Sequence, residues 1–143
     1  MTTNLISKTV ADYDVVGDYQ QDKINGFQID LINKMIDSAD IKEGQMVLDA
    51  MAGNGNLTAQ ILRNCKNKNI EDVKITTLEF SELQCEKEKK NILNSNVNIF
   101  WGDILTLNSF ETGKKLPLKS FDRILLKSAN HELPKSRQAD FYN

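Results

Sequence analysis

The stretch "QMVLDAMAGNGNLTAQIL", Gln45 to Leu62, constrains this chain more than any other. An apolar run closes on an acid, crosses a small-residue loop holding Gly53 and Gly55, and resumes with Leu57, Ile61 and Leu62 at helical spacing. This order predicts a strand, a turn and a helix, with the strand's carboxyl end and the helix's amino end on either side of one loop. Glycine adopts positive φ freely, so such a loop either turns tightly or lets a ligand approach its backbone. Met51 interrupts the run of small residues, and its place has to be explained.

The same unit recurs. "VKITTLEF" is rich in β-branched residues and predicts a second strand, and Ser81 with Gln84 three residues later forms a capping box that opens a helix from Glu82 to about Asn94. "NVNIFWGD" and "FDRILLKSA" predict a third and a fourth strand, the latter after the polar loop "NSFETGKKLPLK". Upstream, Ile24, Phe27, Leu31, Ile32, Met35 and Ile36 recur in steps of three and four, the mark of an amphipathic helix ending near "SADIKEGQ". Residues 1–22 lack periodicity and are expected to form a leader segment, with one α/β domain over 23–143 and a further helix begun by "KSRQADFYN". Strands alternating with helices imply right-handed crossovers and a mostly parallel sheet with helices on both faces.

Composition narrows the partners. With 143 residues, 40% hydrophobic and 27% charged, the chain suits one domain with a real core. Its 20 acids and 18 bases are interspersed, giving no dominant positive field, so neither nucleic acid nor a membrane is expected as a partner. No apolar run has the roughly 18 residues of a membrane span, and a cytoplasmic location is expected. Cys65, Cys85 and His131 lack zinc-site spacing, so free thiols and no metal are expected.

In parallel sheets ligands bind outside the carboxyl ends of the strands, near the point where strand order reverses. The residues at those ends are Asp49, Glu79, Asp103 and the segment from Lys127 to Glu132. A carboxylate at Glu79, 24 residues after Gly55, suits the vicinal hydroxyls of a ribose, and Asp103 suits an exocyclic amino group such as adenine's. Phe80 and Trp101 are either flat platforms for a purine or core residues. The loop lacks the third glycine of a dinucleotide site and the lysine of a phosphate loop. Asp49 would repel a phosphate and suits an ammonium or sulfonium, so the set describes a nucleoside cofactor without phosphates.

Taken in order and at these intervals, "VLDAMAGNGNLT", "TTLEFSE", "NIFWGDIL" and "FDRILLKSANHELP" resemble the first four motifs of the class I, Rossmann-like S-adenosylmethionine-dependent methyltransferases, over roughly Gln45 to Pro134. The resemblance implies a Rossmann-like three-layer α/β sandwich, truncated after about the fourth strand, and S-adenosylmethionine as cofactor. It implies that Asp49, Ala50, Gly53 and Gly55 border the methionine part of the cofactor, that Glu79 binds the ribose and that Phe80 flanks the adenine. Asp103 and Ile104 would contact the adenine edge, and the backbone at Lys127 and Ser128 would line the methyl-donor pocket. Tyr13 and Tyr19 fall where family members close the site with an N-terminal segment. The family loop usually has glycine where this chain has Met51, which either packs into the core or borders the donor.

For an oxygen or carbon acceptor, His131 and Glu132 are the candidate proton acceptors; His131 otherwise caps a turn. "KSANHELP" lacks the Asn/Asp-Pro-Pro-aromatic pattern that resembles the site of nucleic-acid amino-group methyltransferases, so a small-molecule acceptor is expected. "RILLKSA" would be an apolar sheet edge, so a fragment of a longer protein or an assembly, a homo-oligomer or a second chain, is expected to cover it. The alternatives are a truncated, inactive binding or assembly module and another nucleoside-binding protein such as a dehydrogenase fragment.

Overall fold

The computed structural model describes residues 26–127. Its elements are α1 (Gly26–Ala39), β1 (Met46–Ala50), α2 (Asn56–Asn67), β2 (Lys74–Glu79), α3 (Glu82–Asn91), β3 (Val97–Trp101) and β4 (Arg123–Leu126), with a single 3-10 turn at Leu118–Ser120. Each predicted strand and helix within this range forms. The leader, the closing helix, Tyr13, Tyr19, Ser128, His131 and Glu132 lie outside the described residues.

The four strands make one parallel sheet in the order β3-β2-β1-β4. The chain moves outward from β1 through β2 to β3 and then returns to the other side of β1, so strand order reverses between β1 and β4. In register, Asp49 stands opposite Thr77 on one side and Leu125 on the other, and Glu79 opposite Trp101. Among the described residues, the apolar β4 lies at the edge of the sheet, with Ile124 53% exposed. No described helix is long and apolar enough to cross a membrane.

Alternation along the strands divides the core. Val47, Ile75 and Leu125 face one way and pack against Ile32 and Ile36 of α1 and Leu57, Ile61 and Cys65 of α2. Leu48, Ala50 and Leu78 face the other way, into a cluster with Met51, Phe80, Ile104 and Leu116. Each such aliphatic side chain removed from water contributes roughly 1.5–3 kcal/mol. Among the described residues, the layer on that second face is the β3–β4 connection and holds no α-helix. Gly113, Pro117 and the bridges Gly102–Ser109 and Asn108–Lys115 fold the expected polar loop across this face. In α1, Leu31 is 51% exposed, so the apolar stripe is narrower than the sequence pattern suggested.

At the head of α3 only half of the capping box forms. The Ser81 hydroxyl accepts the Gln84 amide at 3.2 Å, but the Ser81 amide donates to Glu79 Oε1 at 3.3 Å instead of to Gln84. The helix stops at Asn91, short of Asn94, because Ile92 turns to extended backbone.

Candidate functional site at the carboxyl ends of the strands

The loop from Met51 to Gly55 is tied to both neighbouring layers. Gly53 donates its amide to Glu79 Oε2, while Glu79 Oε1 accepts the amides of Phe80 at 3.1 Å and Ser81. One buried carboxylate therefore gathers three backbone donors from two strand ends. Met51 sits in the left-handed region at φ 56°, a conformation that glycine adopts without penalty, and its side chain is buried with Leu48, Ala50 and Ile104. This settles its place: it packs into the core on the sheet face opposite α2.

Gly55, at φ 96°, begins α2. A Cβ there would stand 2.6 Å from Cδ1 of Ile92, just past α3, and 3.0 Å from Glu88 Cγ, so any side chain would force Ile92 to shift. Asp49 accepts a 2.6 Å hydrogen bond from the Thr58 hydroxyl, one turn into α2. Burial pushes the Asp49 carboxyl up to about 7, against the opposing pull of the Thr58 hydrogen bond and of Lys127. Glu79 is likewise pushed up to about 7 by burial, against its backbone donors and with a further push from the Asp49 charge. Lys127 is half-buried just past β4, and desolvation lowers its ammonium while Asp49 counteracts.

Asp103 is half-buried in the turn after β3, where its Oδ1 accepts the Leu105 amide at 2.9 Å. Its neighbour Ile104 lies in the core beside Met51. Phe80 is also in that core, and Trp101 donates its indole N–H to the Phe80 carbonyl at 3.0 Å while its ring meets Phe110 at 5.3 Å. The structure thus brings Asp49, Ala50, Gly53, Gly55 and Glu79 together around the β1–β2 ends, with Lys127 near Asp49 and Asp103 beyond β3.

Sequence reasoning missed Thr58, Thr77, Gln84 and Glu88, all buried. Burial pushes the Glu88 carboxyl up to about 9, with Asp49 and Glu79 adding to it. A signal existed: Gln84, Cys85, Glu88 and Ile92 follow helical spacing along the inner side of α3. A search for apolar periodicity passes over it because half of that stripe is polar.

This donor set fits a sulfonium nucleoside. Buried carboxylates at adjacent strand ends suit hydroxyl donors and positive charge, and the loop offers no lysine to a phosphate.

Comparison with known proteins agrees. Among curated proteins none matches the chain significantly. An S-adenosylmethionine-dependent methyltransferase of Thiobacillus denitrificans, solved with S-adenosylhomocysteine, superposes with a TM-score of 0.53 at 16% identity, covering 82% of this chain and 44% of that one. Coclaurine N-methyltransferase, solved with N-methylheliamine and S-adenosylhomocysteine, superposes with a TM-score of 0.51 at 25% identity, covering 78% and 32%. A Methanococcus maripaludis protein assigned to the same methyltransferase class gives 0.58 at 21% identity, covering 80% and 48%. The chain spans less than half the length of each of these proteins. They show the Rossmann-like fold that the motifs implied.

The profile of the ribosomal RNA adenine dimethylases matches residues 28–133. It overturns the expectation of no nucleic-acid partner. That expectation rested on charge averaged over the chain and on one missing motif, and neither reports on how a single base is held in a pocket. A match over most of its length places the chain in the ribosomal RNA adenine dimethylase family, whose cofactor is S-adenosylmethionine.

Proposed function

We propose that this chain is the cofactor-binding part of a methyltransferase acting on the exocyclic amino group of an adenine in ribosomal RNA. The family match across all four strands carries this reading, and the acidic, phosphate-averse strand ends support it. The amino nitrogen is the acceptor because it can take two methyl groups and remain neutral.

S-adenosylmethionine supplies a methyl group on a sulfonium, poised for in-line displacement. Around it, Asp49, Ala50, Gly53 and Gly55 border the methionine part, and Glu79 accepts hydrogen bonds from the ribose hydroxyls. Asp103 and Ile104 bound the adenine edge, with Phe80 closing the pocket from the core side. The backbone at Lys127 and Ser128 lines the donor pocket at the reversal of strand order. His131 and Glu132 follow β4 in the sequence and are assigned the proton released as the amine is methylated.

The test is methyl transfer from isotope-labelled S-adenosylmethionine to unmethylated ribosomal RNA, followed by digestion to nucleosides and mass spectrometry. Label in dimethylated adenosine is expected. Label on another base, or transfer only to small molecules, overturns the acceptor; cofactor binding without any transfer supports a binding module instead.

A further inference from the structure

Glu88 is completely buried on the inner side of α3, and its carboxyl oxygens make no well-formed hydrogen bond, with the Thr77 hydroxyl the donor that faces them. Gln84, one turn earlier and equally buried, leaves both ends of its amide unpartnered. Glu88 lies directly behind the loop, its Cγ 3.0 Å from where a Gly55 Cβ would stand. With Asp49 and Glu79 it makes three buried carboxyls around the start of α2.

The groups facing Glu88 are Asp49 from β1, Thr77 and Glu79 from β2, and Cys85 from its own helix. From α2, the Thr58 hydroxyl is engaged with Asp49, and β3 carries no titratable side chain. On the outer side of α3, Lys89 and Glu86 pair with each other at 3.2 Å. Among the described residues, Lys127 is the cation that faces this group, through Asp49. Three carboxyls against one half-buried ammonium cannot all ionise in a space that water does not reach. Glu88, faced by the Thr77 hydroxyl while Glu79 gathers three amides and Asp49 has Thr58 and Lys127, is the one that keeps its proton longest, consistent with its upward shift.

S-adenosylmethionine and its demethylated product have the same nucleoside and amino-acid groups, but only the first carries a positive charge on sulfur. Resting on the cofactor assignment above, we propose that Glu88 is a charge-regulating positioning residue: the carboxyl cluster releases protons to solvent when the sulfonium arrives and takes them back when the neutral thioether remains. Loss of the charge then weakens the hold on the product, and the discrimination grows as pH rises through the range in which the cluster titrates.

Calorimetry with each ligand, in buffers of different ionisation enthalpy at pH 6.5, 7.5 and 8.5, counts the protons. S-adenosylmethionine should release more protons than S-adenosylhomocysteine, and its relative affinity should rise about threefold or more from pH 6.5 to 8.5, as linkage requires. Glu88→Gln, neutral at every pH, should remove the part of this release above pH 8 and leave the part carried by Asp49 and Glu79. A merely structural Glu88 would not move the proton count. Equal counts for the two ligands in the unmodified protein overturn the proposal even if the variant fails to fold, as does a variant with an unchanged profile. Absence of binding by either ligand overturns the cofactor assignment as well, whereas binding with equal counts leaves that assignment standing.

Discussion

The Glu79 carboxylate accepts the Gly53 amide across 26 residues of chain, so the acid that ends β2 fixes the turn that ends β1. The residue assigned to ribose recognition is thus also the one that shapes the loop beside it. Glu79→Ala strands three buried amides and removes the acceptor for the ribose. Cofactor affinity should fall by about 1–3 kcal/mol, read by calorimetry, with a comparable loss of stability in urea. Unchanged affinity would rule out the ribose role.

Met51 inverts the usual ranking of glycine and alanine. Either substitution removes a buried side chain, at about 2–5 kcal/mol for a change to alanine. Only glycine also relieves the left-handed backbone, worth about 1–2 kcal/mol. Met51→Gly should therefore be the more stable of the two variants by roughly 1 kcal/mol in chemical denaturation. The opposite order would mean that the loop leaves φ 56° once the side chain is gone.

At Gly55 the left-handed backbone and the Ile92 and Glu88 side chains both oppose a side chain. Gly55→Ala should destabilise the fold by about 1–3 kcal/mol, the cost of a strained φ, and more where Ile92 cannot give way. Adding Ile92→Ala should recover part of that loss relative to the sum of the single changes. A coupling energy of zero would place Ile92 outside this contact.

The buried acids give stability an unusual pH dependence. Asp49, Glu79 and Glu88 have folded-state values raised to about 7, 7 and 9, whereas in the unfolded chain they titrate near 4. Between those values the folded protein binds more protons than the unfolded one, so stability falls as pH rises from about 5 to 9. The melting temperature should drop steadily across that range. Glu88→Gln should flatten its upper part and raise stability at pH 9 by on the order of a few kcal/mol.

The elements were legible because each rests on a local signal: β-branched runs for β2, the Ser81 cap for α3, the glycines of the first loop. The strand-end acids Asp49 and Glu79 could be placed for the same reason, since a parallel sheet sends its carboxyl ends to one rim. Glu88 could not be. A charged residue in "EKEKKN" reads as solvated surface unless the partner of its helix face is known, and that partner is a loop more than thirty residues earlier. The loop before β4 was legible because "NSFETGKKLPLK" has the composition of turns, but that it folds over the second face of the sheet was not, since nothing local in it says which face it covers. Nucleic acid was wrongly set aside as a partner because net charge describes a whole surface, while a base is recognised by a few groups in one pocket.

Met51 anchors the first loop on one side of the sheet, and Glu79 holds it from the other. A segment held on both sides has no low-energy route to local opening. The amides of Ala52, bonded to the Leu78 carbonyl at 3.0 Å, and of Gly53 should exchange with deuterium as slowly as those in the middle of β1. Gly-rich loops commonly belong to the soft part of a protein; this one would melt only with the sheet itself.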